Sequence, residues 1–358
     1  MAGRLIVYGI GAIGGQVAGR LHSAGHELLA VEPWAAQREA VVREGLRIAR
    51  LDGGVERHHP PVIAPQELEG PIDLCLLAVK SYDTEAALER VLPHLAPDAL
   101  VVSLQNSINE ELIAPRAGAG RVLGGVVLVN AVLLEPGLVT ATASVSRATA
   151  GVRLPGVYVG EYLRPAGDHA RRIARLLDAV WPAEPIDDLL GERWTKMVTN
   201  SALNPVSGIG GLASAAMLAN AAARRAIIGI AAEVLRVAEA EGHLLERVMG
   251  DFAAEDVYAG AEGSSDAFDR GLAARAARVS ADAATSLLQD VLRGRRTEVD
   301  YFSGLVARKG SAHGIATPWC DAATALVHDI EEGRRAPAVA NLDELLRRAG
   351  ASEQAASG

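Results

Sequence analysis

The rhythm of apolar positions changes once along the chain, near Ile186. Before that point, short runs that are apolar at nearly every position alternate with stretches of helical period. Such runs read as strands covered on both faces, and their alternation with helices predicts parallel crossover units. Arg4 to Ile10 is the first run, followed by a helical stretch to about Ala24. Glu27 to Glu32, Ile72 to Val79 and Ala99 to Leu104 read as further strands, with a helix ending near Leu95 before the last. Leu46 to Ile63 carries Asp52-Gly53-Gly54 between two extended runs and predicts a hairpin. Val122 to Gly160 is β-rich, with Pro136-Gly137 and Pro155-Gly156 as punctuation, and reads as paired strands completing the sheet. Asp168 to Val180 reads as a closing helix, and Trp181-Pro-Ala-Glu-Pro185 as the domain boundary.

Beyond Ile186, Ala-rich helical periodicity runs to about Glu332. Helices are expected at Leu190 to Asn204, Ala221 to Glu241, Leu272 to Leu292 and Val299 to His313. Glu246 to Ser265 is acidic, contains glycine and lacks a clear period; from about Gly350 the chain is small and polar, and reads as frayed. The pattern predicts an α/β protein. A Rossmann-type, doubly wound dinucleotide domain spans 1–183, an all-helical substrate and catalytic domain spans 184–340, and a tail spans 341–358.

Composition narrows the partners. The 358 residues are 49% hydrophobic but only 4% aromatic, and carry a formal net charge of -9. Nothing there argues for nucleic acid or an anionic membrane surface. No apolar run is long enough to span a bilayer. The first strand begins almost at once, with a glycine fingerprint behind it, so no signal peptide is expected and a cytoplasmic protein is inferred. Cys75 lies inside an apolar run far from Cys320, which reads as a buried thiol in a reducing compartment. No metal is expected: His58-His59, His313 and His328 lack a ligand-spaced set of carboxylates or thiols.

Gly9, Ile10, Gly11, Ala12, Ile13 and Gly14 form the dinucleotide glycine pattern in its meaningful context, strand before and helix after. Gly9 permits the tight turn, Gly11 lets the backbone approach a pyrophosphate, and Gly14 lets helix and strand pack closely. Glu32 closes the next strand about 20 residues on, where a carboxylate accepts from a ribose hydroxyl and repels a 2′-phosphate. That favours NAD(H); Arg38 and Arg43 on the next helix leave NADP(H) open. Lys80-Ser-Tyr-Asp83 and Gln105-Asn106-Ser107 follow further strands, at the carboxyl edge where ligands bind in such folds. In the helical half, Lys196, Asn200 and Asn204 share one face of an apolar helix, a costly arrangement unless a polar substrate occupies it. Two domains of these kinds imply a cleft, and hydride transfer to a carbonyl needs an acid, which Lys196 can supply. Ser286 to Asp290 with Arg293 to Tyr301 is ambiguous as pattern alone, since a charged run with a glycine is usually a solvated helix end.

Taken together, these marks resemble the ketopantoate reductase (2-dehydropantoate 2-reductase) family. They are Gly9 to Gly14, Val79-Lys80-Ser-Tyr82, Gln105-Asn106, Lys196 with Asn200 and Asn204-Pro205, Ser286 to Asp290, and Arg295-Arg-Thr-Glu298-Val-Asp-Tyr301. They occur in the family's order over roughly residues 4 to 330. The resemblance implies a Rossmann domain joined to a helical domain like that of 6-phosphogluconate dehydrogenase. It implies reduction of a 2-oxo acid, with 2-dehydropantoate the best single substrate; the alternatives are an NAD-dependent dehydrogenase that oxidises a different small hydroxy compound in catabolism, and a non-catalytic dinucleotide-binding regulator. It further implies Lys196 as general acid and Glu298 as its partner carboxylate, which also holds a substrate hydroxyl. Asn106 would lie near both nicotinamide and reacting carbonyl, Ser286 against the substrate carboxylate, Asn200 and Asn204 on the substrate, and Lys80 on the cofactor side. Three departures stand out: Glu32, where NADP(H)-selective members usually carry a basic residue; Ser214, where the family often has an asparagine; and a longer segment from Leu244 to Arg270, which could reshape the pocket or build a homodimer contact.

Overall fold

The computed structural model describes residues 4–50, 52–141, 155–250 and 252–356. It divides into two compact units, Met1–Leu190 and Gly191–Gly358. The first contains β1 (Leu5–Tyr8), α1 (Ala12–Ser23), β2 (Leu28–Val31), α2 (Ala35–Glu44), β3 (Leu46–Ala49), β4 (Val55–His58), β5 (Val62–Ile63), β6 (Ile72–Leu77), α3 (Thr84–Val91), β7 (Leu95–Ser103), α4 (Glu110–Ala117), β8 (Val122–Val127), β9 (Ala131–Glu135), β10 (Leu138–Ala141), β11 (Val157–Glu161), α5 (Asp168–Leu177) and β12 (Ala183–Pro185). Eight strands form one sheet in the order β12-β11-β8-β7-β6-β1-β2-β5. From β5 to β8 all pairs are parallel, and β11 turns back antiparallel on β8. Numbered by their order along the chain, those six parallel strands follow the 3-2-1-4-5-6 sequence of doubly wound dinucleotide folds, which reverses direction between β1 and β6.

The apolar runs are explained by burial on both faces. In β1, Leu5 and Val7 join one core while Ile6 and Tyr8 join the other; in β6, Leu74 and Leu76 face one way and Cys75 and Leu77 the other. Val17, Ala18 and Leu21 of α1 and Ile173 and Leu177 of α5 cover the first face. Ala87, Leu88 and Val91 of α3 and Ile113 and Ala117 of α4 cover the second.

Three expectations for this unit change. The hairpin around Gly53 is present as β3–β4, but β5 leaves it to pair with β2 at the sheet edge. The strands between Val122 and Gly160 do not all complete that sheet: β9 and β10 join β3 and β4 in a separate four-stranded sheet. Residues 142–154 of that stretch lie outside the described residues. Third, the proline-rich stretch read as a boundary at 183 is β12, paired with β11, and the unit runs on to Leu190. Pro185 is tolerated there because β12 is an edge strand.

The chain continues with α6 (Leu189–Gly210), α7 (Ser214–Ala219), α8 (Ala221–Ala240), β13 (Arg247–Val248), β14 (Phe252–Ala253), α9 (Ala254–Ala261), α10 (Ala267–Ala276), α11 (Ser286–Leu292), α12 (Ser303–Ala312), α13 (Pro318–Glu331) and α14 (Ala340–Ala356). The helix expected over Leu272 to Leu292 is two. They part over 277–285, where Thr285 accepts the amide of Leu288 and starts α11 afresh. The unpatterned segment near Leu244 to Arg270 holds a two-stranded hairpin and α9, and packs on α8 within this unit. Phe252 meets Phe268 edge to face at 4.8 Å, and the Tyr258 hydroxyl donates to Glu239 at 2.7 Å. The expected tail is instead α14, which packs on α13 and α8 with Leu342, Leu345 and Ala349 fully buried. That apolar stripe precedes Gly350, and the stretch expected to fray, 350–356, continues the same helix. Among the described residues, no helix is long and apolar enough to cross a membrane.

Candidate functional site

In the first unit, the carboxyl ends of β1, β6 and β7 stand side by side, because these strands are neighbours in the sheet. β1 delivers the glycine turn. Gly9 adopts φ +88°, and a Cβ there would lie 2.7 Å from Val79 Cγ1 and 2.9 Å from the Val79 nitrogen. At Gly14 a Cβ would overlap the Gly9 carbonyl oxygen, so helix and strand close only on glycine. Gly11 differs: nothing lies within 4 Å of the Cβ it lacks. It precedes α1, whose first turn, with Ala12 and Ile13, carries no acidic side chain. Open space over a helix N-terminus with unopposed positive dipole suits a pyrophosphate, so these residues fit a dinucleotide.

Ile10 is fully buried and held at both polar atoms. Its N–H donates to Glu32 Oε2 at 2.7 Å, and its carbonyl accepts from Gln37 Nε2 at 2.7 Å. Gln37 Oε1 in turn accepts from Gly137 N at 2.7 Å, tying the turn to the smaller sheet. Glu32 Oε1 accepts from Trp34 N at 2.8 Å. Burial raises the Glu32 carboxyl above its usual range; the two backbone amides and Arg38 oppose that, and Asp83 adds to it. Arg38 directs Nη1 at the carbonyls of Glu32 and Pro33, at 2.7 and 2.8 Å. β6 leads to the partly exposed Lys80, which opens the short turn Ser81–Asp83. β7 leads to Asn106, whose carbonyl accepts from Asn109 Nδ2 at 2.6 Å and Ser81 Oγ at 3.3 Å, fastening the two loops together.

In the second unit, α6 carries Lys196, Asn200 and Asn204 at successive turns, as the spacing predicted. Asn204 is buried and donates Nδ2 to Asn200 Oδ1 at 3.4 Å; Asn200 Nδ2 is buried without a partner. A buried amide donor left unmatched costs stability, and it is a group a ligand could satisfy. Pro205 has no N–H to give the carbonyl of Ser201, and Ser303 Oγ donates to that oxygen instead, at 3.2 Å. Glu298 is buried just before the turn Val299–Tyr301, and acts on Lys196 electrostatically. Burial first, then the Arg193 guanidinium, push the Lys196 ammonium down to about 7, while Glu298 pulls the other way. Ser286 opens α11, which docks on α6 where Gly208 leaves room for Leu287. Ser214 begins α7, its N–H donating to the Ala283 carbonyl at 2.8 Å.

Thus Gly9 to Gly14, Glu32, Lys80 and Asn106 belong to one unit, and Lys196, Asn200, Asn204, Ser286 and Glu298 to the other. The sequence reading missed three participants. Arg193 is fully buried one turn before Lys196, and a second cation in an apolar helix was its signal. Gln37 and Trp34 had none, since their positions depend on how α2 returns to the glycine turn.

Known proteins of one family match both units. Residues 5–152 match the family model described as ketopantoate reductase PanE/ApbA, and 188–331 match its C-terminal counterpart. The 2-dehydropantoate 2-reductase of Halobacterium salinarum is 30% identical over 88% of this chain and 94% of its own. That of Archaeoglobus fulgidus is 29% identical over 87% and 92%. A solved ketopantoate reductase of the PanE/ApbA family from Ralstonia eutropha superimposes with a TM-score of 0.73 at 27% identity, covering 92% of this chain and 99% of the other. With both family models matched in order, over the unit that carries the glycine turn and the unit that carries Lys196, the chain belongs to the ketopantoate reductase family of NAD(P)-dependent oxidoreductases.

Proposed function

We propose that this protein reduces a 2-oxo acid to its 2-hydroxy acid, with 2-dehydropantoate the substrate and pantoate the product, and that it works with NAD(H). The observation that carries the reading is Lys196, an amine tuned to about 7 on the same helix face as two amides. When bound, the nicotinamide supplies the hydride. The protein's own part is proton and charge management. Reduction leaves negative charge on the carbonyl oxygen, and Lys196 holds a proton at Nζ that it can give up near neutral pH. Glu298 keeps that ammonium from being lost altogether, since a buried lysine without a carboxylate would titrate lower still. Asn200 and Asn204 offer amides to the substrate's polar groups, Ser286 a hydroxyl to its carboxylate, and Asn106 an amide near the carbonyl. Lys80 stands on the cofactor side.

For the cofactor, the acidic character around Glu32 supports NAD(H). Its carboxylate feels Asp83 as a second negative charge, and a 2′-phosphate would meet both. Arg38 already serves two backbone carbonyls through Nη1, which weakens it as a phosphate partner. Cytoplasmic action and a homodimer belong to the same proposal. The two buried free thiols suit a reducing compartment, and sedimentation velocity tests the dimer.

The test is a steady-state panel of 2-oxo acids with both cofactors, on the native enzyme and on Lys196→Ala. We expect 2-dehydropantoate with NADH to be the best pair. Lys196→Ala should lower kcat by roughly 100-fold or more while NADH affinity stays within about twofold. Equal losses in kcat and in NADH affinity would remove Lys196 from the proton-transfer role.

A further inference from the structure

Glu298 stands in the stretch between α11 and α12, just before the turn Val299–Tyr301. The pull of its charge on Lys196 depends on their separation, so the backbone that carries Glu298 has to be fixed in place. Two bonds within the stretch shape it. Val299 N donates to Thr297 Oγ1 at 3.2 Å, and Tyr301 N donates to the Glu298 carbonyl at 2.9 Å. Neither of these joins the stretch to another element.

α13 makes that join. His328 and Glu331 lie three residues apart near its end, and so share one face. Glu331 Oε1 accepts from Thr297 N, the residue before Glu298, at 2.6 Å. His328 Nε2 lies 2.9 Å from Asp300 Oδ1, two residues after Glu298. One helix face thus grips the chain on both sides of the carboxylate. The grip at Thr297 matters more, because that residue is buried and its amide depends on a protein acceptor. The helix that provides the grip is itself firm. Buried Glu233 of α8 accepts from Trp319 N and Cys320 N at its start, at 2.8 Å each, and α14 packs along it. Glu331 itself is exposed at the end of α13, so its carboxylate is not part of the core.

We infer that Glu331 is a positioning residue for Glu298: by holding the Thr297 amide it keeps the neighbouring carboxylate where its charge acts on Lys196. The assignment rests on the proton-transfer role proposed above for Lys196. Two substitutions separate the tether from the charge. Glu331→Ala removes both, whereas Glu331→Gln removes the charge and keeps an oxygen for the amide. Exchange of the Thr297 N–H, followed by NMR, should be about tenfold faster in Glu331→Ala and close to native in Glu331→Gln. Because Glu298 favours the Lys196 ammonium, loosening it should move the inflection of kcat/KM for reduction to lower pH, by about 0.5, in Glu331→Ala. Glu331→Gln should restore the native profile. Both variants should fold, since the side chain is exposed, and circular dichroism checks this. Unchanged Thr297 exchange in Glu331→Ala, an inflection that stays in place there, or one that moves as far in Glu331→Gln, overturns the inference and leaves Lys196 in its proposed role. A native profile with no inflection near neutrality overturns both.

Discussion

Lys196 shows how three residues set one proton's affinity. Burial and Arg193 favour the neutral amine, Glu298 favours the ammonium, and the balance lies at about 7. Under the proposed role, reduction needs the protonated form. The kcat/KM for reduction should therefore be flat below about 7 and fall as pH rises through it, while that for oxidation should rise over the same range. Glu298→Gln removes the group that raises the value, so the reductive inflection should move to lower pH. A profile without an inflection near neutrality would mean that another group carries the proton. Glu32 gives a second prediction at this scale. Glu32→Gln keeps an acceptor for one backbone amide but removes the charge, and should shift the kcat/KM ratio toward NADP(H) by about tenfold. An unchanged ratio would mean that Glu32 does not face the ribose. Spacing alone put Lys196, Asn200 and Asn204 on one helix face. It could not disclose that the Glu298 charge would act on Lys196, because 102 residues of chain must fold first. That pairing came from the family resemblance, and the Asp83 charge beside Glu32 came only from the structure.

Among elements, the strand–turn–helix of β1 and α1 is the clearest link from sequence to structure. Its glycines separate into two kinds. Gly14→Ala would drive a methyl into the Gly9 carbonyl, and should cost about 3 kcal/mol in urea denaturation, the upper end for overpacking, because backbone cannot step aside. Gly11→Ala meets only open space, so stability should change by less than about 0.5 kcal/mol while ADP-ribose affinity falls. If Gly11→Ala binds normally, the pyrophosphate does not approach there. These strands were legible because burial on both faces leaves an unbroken apolar run. The elements that went wrong were those whose pattern is weak alone. β10 pairs with β3 across some ninety residues and carries β9 on its other edge, and the break between α10 and α11 follows from a cap at Thr285 that periodicity does not record.

At the scale of the whole chain, each compact unit has its own core, and the second ends in α14. Leu345→Ala should lower stability by about 2–5 kcal/mol, seen as an earlier denaturation midpoint, because its side chain is fully buried. A frayed end would tolerate the change without cost. The alternation of strands and helices gives way to a mainly helical unit that carries one short hairpin, β13–β14, and the compact division falls at Leu190, past an edge strand that resembles a linker in sequence. One detail of α6 reaches further than its size. Pro205 would ordinarily count as a flaw in a helix, yet the oxygen it leaves unserved is the mooring for Ser303, five residues past Glu298. Replacing the proline with an ordinary residue would mend the ladder and cast that hydroxyl adrift. The segment that brings a carboxylate to Lys196 is therefore anchored to a gap, and repairing the gap would loosen it.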